Sequence, residues 1–151
     1  MADLAGQTPA DVLLVEDDPA DALMVQEAFG EYAVRSQLHV VTDGEQALQF
    51  LRQEGRFSDV PRPGLVMLDL NLPRLNGLEV LAEIRADAGL GAIPVVMLTI
   101  SQAPEDILRS YQLHASAYVT KPADYDEFIA AIGGIDGFYL RLAHLPGSTV
   151  N

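Results

Sequence analysis

Asp69 closes the apolar run Leu65-Val66-Met67-Leu68, and Glu16-Asp17-Asp18 closes another, Val12-Leu13-Leu14-Val15. A segment of buried-strand character should not end on ionised carboxylates unless it delivers them to a surface site. Further along, Pro94-Val95-Val96-Met97-Leu98 ends on the hydroxyl of Thr99, and Ala117-Tyr118-Val119-Thr120 ends at Lys121-Pro122. If these runs lie parallel in one sheet, their polar ends meet at its carboxyl edge, where open α/β sheets place ligands. Among Glu16, Asp17 and Asp69, two carboxylates with an amide or backbone oxygen of Asn71 offer the hard oxygen ligands that Mg²⁺ takes while keeping several waters. An aspartate, with an ordinary pKa of about 3.9, is already ionised at neutral pH and needs no general base before attacking phosphorus. The chemistry this set suits is aspartyl phosphorylation, with Mg²⁺ on one side of the phosphoryl group and Lys121 and Thr99 on the other.

The elements that must position these groups alternate along the chain. Asp11 to Val15 reads as a buried strand, and Asp18-Pro19 starts a helix that runs to about Gly30. Leu38 to Val41 is a second strand, and Asp43-Gly44-Glu45-Gln46 starts a second helix with Gln46 placed to close a capping box. Ala47, Phe50 and Leu51 form its inner face. After a loop over Gln53 to Gly64 comes the third strand, Leu65 to Leu70. A third helix opens at Asn76 with Glu79 three residues on, followed by a fourth strand ending at Thr99 and a helix from about Pro104 to Leu113. Ala117 to Thr120 is the fifth strand, and Asp124 with Glu127 starts the last helix, where Phe128, Ile129, Ile132 and Ile135 sit at helical spacing. Five strands separated by helices predict a doubly wound α/β fold, a parallel sheet with helices on both faces.

With 151 residues and 49% hydrophobic content, the chain has the size of one domain. We expect residues 1–10 to be a flexible lead, 11–138 the domain, and 139–151 an extension packed on the last helix or on a dimer partner. A formal charge of -13 disfavours nucleic acid and anionic lipid as partners. The absence of cysteine, of a signal peptide and of a membrane-length apolar run leads us to expect a cytoplasmic protein. Gly133-Gly134 should weaken the last helix, since each glycine costs about 1 kcal/mol relative to alanine. The apolar residues beyond, including Phe138, Tyr139, Leu140, Leu142 and Leu145, exceed what one short helix can bury. A homodimer through the fourth helix, fifth strand, fifth helix and this segment is the expectation.

Taken together, the four strand-end motifs resemble the receiver domains of two-component response regulators. Glu16-Asp17 stands at the family's acidic pair, Asp69 in Leu68-Asp69-Leu70-Asn71-Leu72-Pro73 at its phosphoacceptor, Thr99 at its switch hydroxyl, and Lys121-Pro122 at its Lys-Pro. Any one of these alone is weak; all four in order are specific. The resemblance implies a flavodoxin-like fold of strand order 2-1-3-4-5. It implies Mg²⁺ held directly by Asp17 and Asp69, through water by Glu16, and by the Asn71 backbone carbonyl. It further implies Lys121 on the acyl phosphate, and a cis peptide before Pro122 aiming that lysine inward. The implied donor is a phosphohistidine on a sensor histidine kinase or phosphotransfer protein, and the implied output a population shift through Thr99 and the aromatic switch Tyr118. Ile100 departs from the small residue common after the switch hydroxyl, a bulk expected to restrict Tyr118. The overall length, the loop before the third strand and the apolar tail look similar to stand-alone regulators paired with phytochrome-type kinases.

Blander readings apply to several residues. Asp18, Asp43 and Asp124 read as helix caps, His39, His114 and His144 lack metal-ligand spacing, and the arginines of the Arg52 to Arg74 stretch read as loop solvation, with an acidic partner as the alternative. Two rival functions stand beside the receiver. A haloacid-dehalogenase-type phosphatase also uses a strand-end Asp with Mg²⁺, but it needs a second acid where this chain has Asn71. A phosphorylation-independent pseudo-receiver would be marked by loss of the acid pair, acceptor or lysine, none of which is lost here.

Overall fold

The computed structural model describes residues 11–32, 37–122 and 124–135. Five parallel strands form one sheet: β1 (Asp11–Val15), β2 (Gln37–Val41), β3 (Leu65–Leu68), β4 (Val95–Thr99) and β5 (Ala117–Thr120), in the order β2-β1-β3-β4-β5. The helices are α1 (Pro19–Tyr32), α2 (Gly44–Arg52), α3 (Gly77–Ala86), α4 (Pro104–Gln112) and α5 (Tyr125–Ile135). None of them is long and apolar enough to cross a membrane.

Strict alternation in the inner strands splits the core in two. Leu13, Val15, Val66, Leu68, Val95 and Met97 point to one face, where they pack with Ala47, Phe50 and Leu51 of α2 and Val80, Leu81 and Ile84 of α3. Val12, Leu14, Leu65, Met67, Val96 and Leu98 point to the other, against Val25 and Phe29 of α1 and Phe128, Ile129 and Ile132 of α5. A strand buried on both faces has no polar alternation, which is why these segments read as continuous apolar runs.

Local signals place the helix starts. The Asn76 side chain accepts from the Glu79 N–H at 3.0 Å while Glu79 Oε1 accepts from the Asn76 N–H at 3.0 Å, a reciprocal capping box. Asp43 caps α2 through the Gln46 N–H at 2.8 Å, but the Gln46 side chain returns to the Thr42 N–H at 3.1 Å, one residue earlier than the box expected from sequence. Asp124 accepts from the Glu127 N–H at 3.0 Å. Gly77 is demanded by packing, because a Cβ there would run into the Asp69 carbonyl and stand 2.7 Å from Leu70 Cα. The start of α3 is thereby pressed against the end of β3.

Three expectations are corrected. β3 ends at Leu68 rather than Leu70, because the Asn71 N–H turns back to Asp69 Oδ1 at 3.1 Å and the Leu70 carbonyl accepts from the Gly77 N–H at 2.9 Å. α5 continues through Gly133-Gly134 to Ile135, anchored by the buried Phe128, Ile129 and Ile132; burial of that face outweighs the glycine penalty. No peptide bond among the described residues is cis, so the Lys121-Pro122 bond is trans. The apolar tail that carried the dimer expectation, and His144, lie outside the described residues.

Candidate functional site

The register of the sheet brings the strand ends together. Val15 pairs with Leu68 and Thr99 with Thr120, so the residues that follow emerge side by side at the carboxyl edge. The Glu16 N–H donates to the Val41 carbonyl at 3.0 Å, the Asp69 N–H to the Val15 carbonyl at 3.2 Å, and the Lys121 N–H to the Thr99 carbonyl at 2.7 Å. Each functional residue is thus held by a hydrogen bond that extends the ladder one step past its strand.

Glu16, Asp69, Thr99 and Lys121 are buried, whereas Asp17 is exposed. One carboxylate oxygen from each of Glu16, Asp17 and Asp69 lies within 4.8 Å of the other two. Three hard oxygen donors at that separation fit a divalent cation, with the exposed Asp17 on the solvent side of the cluster. Lys121 Nζ reaches into the cluster from β5, at 2.6 Å from Glu16 Oε1, 2.8 Å from Asp21 Oδ2 and 3.1 Å from Asp69 Oδ2. A trans peptide before Pro122 therefore suffices to aim it inward.

Electrostatics follow from this arrangement. Burial pushes the Glu16 carboxyl up, its hydrogen bond to Lys121 pulls it down and the Asp69 charge raises it again, leaving it at about 7. For Lys121, burial alone would lower the pKa, but hydrogen bonds to Asp21 and Glu16 and the charges of Glu16 and Asp69 outweigh it and hold the ammonium well above the usual lysine range.

Thr99 Oγ1 accepts from the Ser101 N–H at 3.3 Å, the Ser101 hydroxyl donates to Asp106 Oδ2 at 2.6 Å, and the Tyr118 hydroxyl donates to the Ser101 carbonyl at 2.9 Å. The β4–α4 connection thereby joins Thr99 to Tyr118. Ile100 is 69% exposed. The histidine and arginine readings also gain partners. His39 Nε2 lies 3.0 Å from Asp11 Oδ1, while Arg52 pairs with Glu83 and Asp87, and Arg74 with Glu45. These arginines are engaged within the molecule.

Sequence reasoning missed Asp21. An acid in the first turn of a helix is ordinarily explained by the helix dipole, and nothing in its spacing from Asp17 points at a lysine a hundred positions away. One signal was available: Lys121 is the only lysine in the chain.

Comparison with known proteins agrees with this geometry. Residues 12–133 match the model of the response regulator receiver domain. The chain is 41% identical over 140 residues to the response regulator Rcp1 of Synechocystis sp., covering 93% of this chain and 95% of that one. It superposes with a TM-score of 0.87 on the crystal structure of the Mn²⁺-bound form of Rcp1, at 42% identity, with 92% of this chain and 100% of that chain covered. With the phosphorylated cyanobacterial phytochrome response regulator RcpA the TM-score is 0.88 at 43% identity, with 92% and 99% covered.

Proposed function

The chain belongs to the response regulator receiver family, and from that premise we propose that Asp69 accepts a phosphoryl group from a phosphohistidine on a sensor histidine kinase or phosphotransfer protein. The observation that carries the reading is the placement of Asp69: buried at the end of the central strand, inside the carboxylate cluster, with an ammonium at 3.1 Å. A carboxylate oxygen of Asp69 forms the new P–O bond as the P–N bond to the donor imidazole breaks. Lys121 takes up charge on the phosphoryl oxygens, and Thr99, joined through Ser101 to Tyr118, responds to the new dianion. Asp17, Asp69 and the Asn71 carbonyl, with Glu16 through water, would hold Mg²⁺, which would supply charge neutralisation for the transfer. At Asn71 the backbone N–H donates to Asp69, and its amide cannot protonate a leaving group, which favours the acceptor reading over a phosphatase.

Incubating the protein with a small acyl phosphate and Mg²⁺ should add one phosphoryl mass, and EDTA should prevent it. No addition would favour the pseudo-receiver instead.

The similarity to the phytochrome response regulator RcpA supports a phytochrome-type kinase as the donor, and we propose a cytoplasmic setting for the reaction. We also propose that the domain spans residues 11–138 and that the protein forms a homodimer through α4, β5, α5 and the segment that follows. Leu108 and Tyr111 on α4 are 58% and 48% exposed and lie beside the edge strand β5, where the Tyr111 hydroxyl accepts from the Tyr118 N–H at 3.1 Å. Light scattering at tens of micromolar, with Mg²⁺ and a phosphoryl mimic, should give twice the chain mass; a monomer mass sinks the dimer.

A further inference from the structure

Lys121 carries three N–H donors, and three carboxylates take them, with the proposed acceptor Asp69 the most distant at 3.1 Å against 2.6 Å for Glu16 and 2.8 Å for Asp21. Phosphorylation removes the charge of Asp69 and offers new anionic oxygens in its place, so the ammonium, which lies closer to Glu16 and Asp21, is drawn toward Asp69 at the expense of one of those two. Glu16 is the costly one to leave, because its side chain is 1% exposed and no water replaces a hydrogen bond lost there. Asp21 is the cheap one. Its side chain is 21% exposed, and it sits in the first turn of α1, where backbone N–H groups favour an acid. It also stands outside the Glu16, Asp17 and Asp69 cluster.

We propose that Asp21 is a positioning residue that holds Lys121 against α1 before transfer and competes with the incoming phosphoryl group for its ammonium. This rests on the reading of Asp69 as acceptor. Asp21 lies outside the cation cluster, so its hold acts through the lysine. Release of Lys121 toward Asp69 is then coupled to the first turn of α1.

The test is Asp21→Asn, which keeps the side-chain shape and removes the charge. With a small acyl phosphate, the rate constant for adduct formation should rise about threefold, the order carried by a partly exposed ion pair. The Mg²⁺ concentration for half-maximal rate should stay within about twofold, since Asp21 is no cation ligand and its partly exposed charge is screened by water. In a Lys121→Met background the same substitution should change nothing. Because the chain has one lysine, ¹³C-lysine labelling gives a single Cε signal, and Asp21→Asn should move it toward its position in wild type treated with Mg²⁺ and beryllofluoride. Slower phosphorylation in Asp21→Asn, an equal gain in the Lys121→Met background, or an unmoved lysine signal would each overturn the proposal. If wild type gains no phosphoryl mass, the acceptor reading fails, while the lysine signal of Asp21→Asn without donor still decides whether Asp21 holds Lys121.

Discussion

Asp69→Asn should gain no phosphoryl mass from an acyl phosphate and yet melt about 3 °C above wild type in EDTA at pH 8, as expected for a gain of about 1 kcal/mol in a domain of this size. The loss of the adduct follows from replacing the proposed nucleophile with an amide. The gain in stability follows from charge. Glu16, Asp21 and Asp69 crowd around one ammonium, with Asp17 close to Glu16 and Asp69, and neutralising one carboxylate relieves repulsion while the amide oxygen can still accept from Lys121. A function-first site is expected to store this kind of strain. The pH dependence is specific. Glu16 sits at about 7 in the fold against an ordinary 4.5, so the fold binds an extra proton between those values. Its contribution to stability is full below about 4.5 and is lost as pH rises through about 7. The Asp69 charge is one cause of that elevation, so the decline in melting temperature between pH 5.5 and pH 8 should be shallower in Asp69→Asn than in wild type. Thermal melts followed by circular dichroism, with intact mass spectrometry on the same samples, check both halves. A variant that melts below wild type at pH 8 would mean that the Lys121–Asp69 pair outweighs the repulsion.

What the sequence makes legible here is mostly what is local or periodic. Leu65 to Leu68 reads as a buried strand because both of its faces are covered, and Asn76 with Glu79 reads as a helix start because the box is closed within four residues. The meeting of Glu16, Asp17, Asp69, Thr99 and Lys121 was inferable because a parallel sheet sends every strand end to one edge. Illegible were the effects that tertiary contacts decide. α5 keeps its helix through Gly133-Gly134 because Ile129 and Ile132 are already buried, and Gln46 finds the Thr42 N–H one residue away from the expected box. Asp21 was hidden for the same reason, since its partner is set by the reach of the Lys121 side chain across the carboxyl edge to α1 and by no periodicity of its own.

Lys121→Met should separate the roles of the ammonium by raising cation affinity while lowering both stability and the phosphorylation rate. Removing the cation leaves Glu16, with its side chain 1% exposed, and Asp69, 9% exposed, without their shared donor. Breaking a buried pair in this way costs about 3 kcal/mol or more, or about 10 °C of melting temperature in EDTA at pH 8. That deficit should shrink on acidification. The hydrogen bond and charge of Lys121 both hold the Glu16 pKa down, so in the variant it rises above about 7, and protonated Glu16 no longer repels Asp69. The stabilising increment is then present at pH 5.5 and is lost only as pH rises through the new, higher value. Mg²⁺ should restore the melt as protons do, and should bind about tenfold more tightly, because a positive charge close to the carboxylates has gone. Phosphorylation by acyl phosphate should fall about tenfold or more, since nothing replaces the ammonium on the phosphoryl oxygens. Calorimetric titration with Mg²⁺ alongside melts at the two pH values provides the test. A stability deficit equal at pH 5.5 and pH 8, or unchanged Mg²⁺ affinity, would show that Lys121 is not the counter-charge of the carboxylate cluster, and the competition between Asp21 and the phosphoryl group for its ammonium would fall with it.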